Sequence, residues 1–439
     1  MTRLKNIILV AVHAGALLLA FFMFNFNAGP CAAQTILSLD DCLALAEAGH
    51  PDMRSAAASV ASSKGRLASA AAGDRLDLSG SVSATRNGPD NESTSYSTGV
   101  TASIKLYDAN RSKYSIDASR STLDAAGEDA RGTLAEVRAN VKTAYLALLL
   151  SYETERQREE SVRAFEQHLE EAKGFFDAGA KPWYDVTKAE VDLGNAQLSH
   201  ASASADVRNA RASLANAIGI DQTEDFDIER TGLDILQLAP WVLDSAETLA
   251  LENRPDYKSS ALKMEAGQST LKAEARAGSP TISLTGGYNG AADDSFDFER
   301  GWNTGLRMSV PILDGSAAAA GVDIARAQID SLAASHEKLR QSILLAVSRA
   351  KNDIAKAREG IRISHLTLAN AEENLKLAEG RYETGVGDAL EVTDAIVSYT
   401  DAQLAASNAQ HDLQTAIIDL EKAVGLDFSY GEENDGERK

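Results

Sequence analysis

The 439-residue chain carries 64 acidic and 43 basic side chains, which gives a net charge of −21 at neutral pH. So acidic a protein repels the phosphate backbone of nucleic acids, and this argues against a nucleic-acid partner. Hydrophobic residues make up 44% of the chain but aromatic residues only 6%. Alanine supplies much of the apolar share, which favours helices packed closely side by side over a thick globular core.

Residues 1–33 have the pattern of a signal peptide. Basic residues precede an apolar run from Ile7 to Phe24, and the small residues leading up to Ala33 fit a cleavage site. The run is also just long enough to be retained as a membrane anchor. Lipidation of Cys31 is a further alternative, although Pro30 directly before it argues against this reading. After the leader no apolar stretch is long enough for a membrane helix, so strands would have to make any membrane crossing.

The next part of the chain predicts a helix, two strands and two further helices. The first helix covers about 39–73, a long one runs from about 110 to 177 without a proline, and the last covers 183–218. At 1.5 Å per residue the long helix would measure about 100 Å, close to the two outer helices placed end to end. A plain coiled-coil rod would show the same pattern. In the second half, helices are expected near 243–277, 315–382 and 389–424.

Four segments of about ten residues alternate apolar and polar side chains, which predicts β-strands. Ten residues suffice for a tilted strand to cross a bilayer, and the polar face is almost purely Ser, Thr and Gly. A soluble sheet with one buried face shows the same alternation, but the signal peptide favours a membrane. Four strands cannot close a barrel, so the chain is expected to oligomerise. The segments are 76–85, 97–106, 281–289 and 302–312.

The chain contains an internal duplication with an offset of 206 residues. The segment Phe176–Gly179 corresponds to Tyr382–Gly385, and similar pairs extend along most of both halves. Two copies at this spacing indicate one pseudo-symmetric unit rather than two independent domains. The expected divisions are a signal peptide at 1–33, a first structural repeat at 34–220, an equatorial connector at 221–242, a second repeat at 243–426 and a polar tail at 427–439.

Together these features resemble the TolC-type outer-membrane efflux family (outer membrane factors). The most specific segments are Ser309–Gly315, which leaves the last strand, and Arg381–Gly385, which leads into Glu391–Ala395. The resemblance implies a mainly α-helical protein with a small transmembrane β part. Each protomer would contribute coiled-coil hairpins to a long-helix α-barrel and four β-strands to the 12-stranded β-barrel of a homotrimer. The β part would lie in the bacterial outer membrane, with the helices extending into the periplasm.

The resemblance also implies a function. The chain would be the exit duct of a tripartite efflux or type I secretion system, contacting outer-membrane lipid, a periplasmic adaptor (membrane fusion protein) and an inner-membrane pump or ABC exporter. No HExxH, CxxC, Walker or GxSxG motif occurs, so we expect no enzymatic activity, no cofactor, no metal and only passive export. The alternative is a periplasmic coiled-coil scaffold whose β segments form a soluble cap.

The turns Gly179–Pro182 and Gly385–Asp388 each pair a glycine helix stop with a helix-start residue. By resemblance these hairpin tips form the periplasmic entrance and the adaptor-docking edge, and Glu391 and Asp394 form an acidic ring there. Being three residues apart, the two acids share one helix face, and such rings favour cations. A capping box between Asp388 and Glu391 explains Glu391 equally well. The docking candidates are Gly179, Pro182, Gly385 and Gly387.

A latch that holds neighbouring helices closed is also implied by the resemblance. Asp185 and Tyr382 match the positions of two latch residues, although compensation of the helix dipole explains an acid in a first turn equally well. The basic residue of the latch corresponds to Gly387 in this chain and is therefore missing. Lys181, at the other tip, is the candidate to replace it.

Overall fold

The computed structural model describes residues 35–86, 88, 94–221, 226–230, 240–293, 297, 299–314 and 316–426. The predicted signal peptide, the predicted tail and most of the loops between paired strands lie outside this part of the chain. The described chain is mainly helical, as expected. Its helices are α1 (Leu39–Gly49), α2 (Pro51–Ala72), α3 (Arg111–Asp177), α4 (Trp183–Ile218), α5 (Pro240–Asn253), α6 (Pro255–Glu274), α7 (Ala317–Glu383) and α8 (Ala389–Val424).

The duplication reappears in the lengths of the helices. α3 and α7 each contain 67 residues, and α4 and α8 each contain 36. Glycine ends the hairpin segments at equivalent places: Gly179 and Gly385 have φ of +70° and +75°, and Gly219 and Gly425 have +82° and +73°. Only glycine adopts this left-handed conformation without strain, so each stop is encoded locally.

The single helices predicted over 39–73 and 243–277 are wrong, because each is interrupted before a proline. His50 has φ −61° and ψ 135°, and Arg254 has φ −58° and ψ 123°. The ring of the following proline disfavours the helical conformation in the residue before it. His50 then caps the next helix, since its Nδ1 accepts the backbone N–H of Asp52 at 3.1 Å. Each break separates a short helix near the middle of the molecule from a longer one.

The long helices form one layer in which neighbours are antiparallel. α3 packs against α4 and α8, and α8 packs against α7, so the hairpin helices follow the order α4–α3–α8–α7. Beyond the far ends of α4 and α8, α2 packs on α3, and α6 packs on both α3 and α7. One long helix therefore lies beside two shorter helices stacked end to end, as the matched lengths predict. Within the described chain, α4 and α7 form the edges of the layer.

A four-stranded antiparallel sheet connects to the ends of these helices. The strands are β2 (Asp77–Arg86), β3 (Thr94–Tyr107), β5 (Thr281–Ala292) and β6 (Glu299–Ser309). Their order in the sheet is β2–β3–β5–β6, and the sheet is open, with β2 and β6 at its edges. The apolar side chains of one face are exposed: Val82 is 86% exposed and Trp302 77%. The last predicted strand ends earlier than expected, because Pro311 has no N–H to donate to the ladder.

The largest hydrophobic core lies at the middle of the helical layer. There β1 (Thr35–Leu37) and β4 (Phe226–Ile228) pair in parallel and pack with α1, α3 and α4. Two tyrosines of α3 anchor this pair: Tyr145 donates to the carbonyl of Glu229 at 3.0 Å, and Tyr152 donates to the carboxylate of Asp227 at 2.6 Å. The described part of the predicted connector is thus fixed to the first long helix.

Candidate functional site at the hairpin tips

The two helical hairpins share a buried core near their tips, which we call the tip core. It unites helices from both copies, since α3, α4, α7 and α8 all contribute. Its members are Phe165, Ala196, Ala378, Tyr382, Ala389, Val392, Ala395 and Ile396. The α3–α4 and α7–α8 hairpins are therefore joined by apolar packing within one protomer.

Tyr382 is the fully buried centre of this joint. Its ring makes an edge contact with Phe175, with 5.3 Å between ring centroids. Burial, together with the nearby carboxylates of Asp185 and Glu171, raises the pKa of Tyr382 to about 12. The phenol oxygen has no hydrogen-bond partner among the described residues. Asp185 and Tyr382 are thus close enough to interact electrostatically, but no hydrogen bond joins them.

Lys181 connects the turn of the first hairpin to that of the second. Its Nζ donates a hydrogen bond to the carbonyl oxygen of Gly387 at 2.7 Å. The same ammonium lies 4.9 Å from the ring centroid of Tyr382, a distance at which the face of an aromatic ring attracts a cation. Lys181, the candidate to replace the missing basic residue of the latch, therefore contacts Gly387, the position to which that residue corresponds.

Gly387 is buried in a turn that leaves little room for a side chain. A Cβ at this position would lie 3.0 Å from Glu391 Oε2 and 3.1 Å from the backbone carbon of Arg381. The Gly387 N–H also donates to the Arg381 carbonyl at 2.8 Å. A basic residue at 387 would require these neighbours to move, which accounts for the use of glycine here.

The two predicted ring acids lie on an exposed face of α8. Asp388 caps the helix by accepting the N–H of Glu391 at 2.9 Å. The Glu391 carboxylate does not complete a capping box, because it accepts hydrogen bonds from Arg381 at 3.1 and 3.4 Å. Asp394 is exposed on the same face. The geometry therefore leaves Asp394 in solvent, whereas Glu391 is partly neutralised by an arginine.

The outermost residues of the tips are apolar as well as glycine-rich. Phe176 and Trp183 form an edge-on aromatic pair, with 5.0 Å between ring centroids. Val386 is 71% exposed at the second tip. Of the four docking candidates Gly179, Pro182 and Gly385 are exposed, and Gly387 is buried. The two tips thus present apolar side chains of different shape at one end of the molecule.

The sequence did not predict a second polar link between the hairpins. Lys188 donates to both carboxylate oxygens of Asp192 at 2.5 and 2.6 Å, and the hydroxyl of Thr393 donates to Asp192 at 3.0 Å. Asp192 and Thr393 are buried. The four-residue spacing of Lys188 and Asp192 was a visible signal. Thr393 lies too far along the chain for any local pattern to connect it with them.

In the part of the chain that the structure describes, no helix combines the length and apolarity needed to cross a membrane. The same residues bring no three His, Cys, Asp or Glu side chains together in an arrangement that could hold a metal ion.

The fold is that of solved outer-membrane channels. One is CusC, whose crystal structures concern folding and transmembrane channel formation. It superposes with a TM-score of 0.79 at 21% identity, and the match covers 92% of this chain and 96% of CusC. VceC of Vibrio cholerae gives a TM-score of 0.77 at 18% identity, covering 89% and 97%. At these identities the likeness shows the fold. The chain belongs to the outer membrane efflux protein family, whose model matches residues 42–220 and 248–426.

Curated relatives agree with this assignment. The outer membrane efflux protein BepC of Brucella suis is 24% identical over 406 residues, covering 88% of this chain and 85% of BepC. The outer membrane protein OprJ of Pseudomonas aeruginosa is 31% identical over 189 residues, a match that spans 41% of this chain but only 39% of OprJ. The expected family and the outer-membrane location with a periplasmic extension are confirmed. Members of the family are efflux proteins, which agrees with the expected lack of enzymatic activity.

Proposed function

We propose that this chain is the exit duct of a tripartite efflux or type I secretion system, through which substrates leave passively. The observation that carries the proposal is an open four-stranded sheet with an exposed apolar face at the end of a long helical layer. Alternating apolar and polar faces suit a wall between lipid and water. Open edges are not tolerated in lipid, so neighbouring copies have to complete the sheet. Three copies would supply twelve strands, and we infer a homotrimer with a 12-stranded barrel.

The duplication supports a specific interface between the copies. α8 packs extensively on both α7 and α3. Within the described chain α4, its equivalent in the first repeat, packs extensively on α3 alone. The α3–α8 contact includes a hydrogen bond of 2.7 Å from Gln157 to Ser407. Shifting both positions by 206 residues places Ala201 of α4 against Ile363 of α7 in the next copy. Both residues are exposed in a single chain, as a closed ring of repeats requires.

The same symmetry motivates the division of the chain. We propose that residues 34–220 and 243–426 are the two repeats, joined by an equatorial connector at 221–242. Support comes from the hydrogen bonds that attach the described part of this connector to α3 at mid-layer. Residues 1–33 would be the signal peptide and 427–439 the polar tail.

We place the periplasmic entrance at the hairpin tips. Glu391 and Asp394 of each protomer would contribute to an acidic ring that favours cations. The exposed Trp183 and Val386, beside the turn residues Gly179, Pro182, Gly385 and Gly387, would form the edge that docks a periplasmic adaptor attached to an inner-membrane pump or ABC exporter. Asp185, Tyr382 and Lys181 would hold the two hairpins of a protomer together while the entrance is closed.

Membrane fractionation followed by planar-bilayer recording tests the duct. We expect the protein in the outer-membrane fraction, soluble only with detergent, and a conductance in bilayers. Purification as a monomer without detergent would contradict the proposal and favour a periplasmic scaffold with a soluble β cap. The interface is tested with Ala201→Cys plus Ile363→Cys and a bis-maleimide cross-linker. The pair should yield cross-linked trimers, and Ala201→Cys alone should not.

A further inference from the structure

His168 lies inside the joint between the hairpins and is 2% exposed. Its ring centroid is 5.2 Å from that of Tyr382, so the imidazole of the first hairpin packs on the central residue of the tip core. Neither ring nitrogen has a hydrogen-bond partner within the described ranges. A neutral imidazole tolerates such a site at moderate cost, but an imidazolium carries two N–H donors and a charge that both need partners.

The charged groups around His168 come from more than one helix. Glu171 lies on α3 itself, α4 contributes Asp185, Lys188 and Asp192, and the Tyr382 phenol comes from α7. From α8, Thr393 bonds to Asp192. Asp192 is already engaged by Lys188 and Thr393, so it is not free to pair with a new cation. Burial is the largest influence and lowers the pKa of His168, the three carboxylates oppose this effect, and Lys188 reinforces it.

We propose that protonation of His168 loosens the joint between the two hairpins and thereby opens the periplasmic entrance at mildly acidic pH. The inference rests on the proposed function, because it names a regulator of the same entrance. In an opened joint the imidazole reaches water, and its pKa returns to the ordinary value of 6.5. The closed joint binds the proton less well than the open one. The stability that neutral His168 gives to the closed joint is therefore fully present above pH 6.5. It is lost as the pH falls towards the lower pKa that His168 has in the closed joint.

The test compares planar-bilayer conductance of the wild type, His168→Gln and His411→Gln between pH 7.5 and 5.5. His411 is a matched control because burial also lowers its pKa, and it lies on α8 away from the tip core. A difference of one pKa unit between closed and open forms shifts their ratio about tenfold. We expect the open fraction to rise on acidification in the wild type and in His411→Gln, and to stay constant in His168→Gln. Carboxylates such as Asp394 are common to all three proteins and cancel in the comparison.

A response of His168→Gln equal to that of the wild type would overturn the inference. So would a wild-type conductance that does not change with pH. An absence of conductance from every protein at every pH would instead contradict the proposed duct. If His168→Gln does not assemble, His168→Leu provides a second uncharged variant. Limited proteolysis of the hairpin tips then gives an independent readout, with cleavage increasing at pH 5.5 only when His168 is present.

Discussion

Lys181 Nζ and the carbonyl oxygen of Gly387 are joined by a hydrogen bond of 2.7 Å, although 206 residues separate them along the chain. Because 206 is also the offset of the duplication, the two residues occupy the same position in the two repeats. One repeat contributes a charged side chain, and the other contributes a backbone carbonyl at a position where a Cβ would crowd Glu391 and Arg381. Pseudo-symmetry at the tips is thus broken at the point where the hairpins meet.

Replacing Lys181 should weaken the closed joint. A hydrogen bond to a charged group contributes about 1.5–3 kcal/mol, so Lys181→Met is expected to shift the joint towards opening by about tenfold or more. The measurement is the open fraction in planar bilayers at pH 7.5. Lys173→Met is the control, since Lys173 pairs with Glu170 on an exposed surface of α3. Equal conductance of the two variants would show that the Lys181 contact does not hold the tip closed.

Removing Arg381 should strengthen the acidic ring. Arg381 pairs with Glu391 at 3.1 Å and offsets its charge at the proposed entrance. In Arg381→Gln the carboxylate is released, and the cation-to-anion permeability ratio should increase. Arg362→Gln is the matched control, because Arg362 forms a comparable exposed pair with Glu359 on α7, further from the tip. If both variants change selectivity alike, general surface charge would be responsible rather than the position of Glu391.

A buried ion pair between the repeats should be essential to stability. Lys142 on α3 and Glu421 on α8 lie 2.8 Å apart, with side chains 2% and 7% exposed. Loss of one member of such a pair removes the nearest counter-charge of a buried ion and costs about 3–5 kcal/mol. Glu421→Leu should therefore lower the free energy of unfolding of the helices, followed by circular dichroism in detergent.

Two comparisons separate this effect from general loss of charge. The double variant Lys142→Met plus Glu421→Leu removes both charges and should recover most of the stability. Lys422→Met breaks an exposed pair with Glu136 between the same helices and should cost only about 0–1 kcal/mol. A double variant as unstable as Glu421→Leu would show that loss of the buried counter-charge does not explain the destabilisation.

Glycines of equal conformation but different surroundings should tolerate alanine differently. Gly385→Ala and Gly425→Ala both place a side chain at positive φ, at a cost of about 1–2 kcal/mol. A Cβ at 425 would also lie 2.9 Å from Arg254 Cα, whereas one at 385 meets no described atom within 4 Å. Gly425→Ala should therefore be the more destabilising, as measured by thermal unfolding in detergent. Equal losses would mean that backbone strain alone sets the cost.

Cys42 should be nearly inert in the folded protein. Burial raises the pKa of its thiol to about 12, and only the thiolate reacts with alkylating agents. At pH 8 the thiolate fraction would be about 10⁻⁴, against about 10⁻¹ for an ordinary thiol of pKa near 9, so alkylation should be about a thousandfold slower than after unfolding. Mass spectrometry of the peptide containing Cys42 gives the rate. Rapid labelling in the native state would contradict this.

Local signals predicted the helices with high accuracy where their ends are encoded by nearby residues. α4 and α8 begin and end at the residues expected, because a helix-start residue precedes each and a glycine at positive φ ends it. The helices predicted over 39–73 and 243–277 do not include the breaks at His50 and Arg254, although Pro51 and Pro255 mark them. The ring of each proline disfavours the helical conformation in the residue before it, and this local restriction determines the break.

Contacts between the repeats could not be predicted in the same way. The sequence indicated Lys181 as a replacement for a missing basic residue, but only the structure shows its bond to Gly387 and its position over Tyr382. The link from Thr393 to Asp192 and the isolated burial of His168 had no local pattern. Such contacts depend on the rotation and register of packed helices, which residues far apart determine together.

By itself, the sequence determined the duplication, the lengths of the long helices and the alternation of the strands, because propensity, period and helix stops act over a few residues. The sequence was also sufficient to recognise the family. The tertiary structure alone decided the order α4–α3–α8–α7 and the side chains that meet at the tips. The physical reason is that the burial of a charge, a phenol or an imidazole depends on which helix covers it, and that choice is made only when the two repeats pack together.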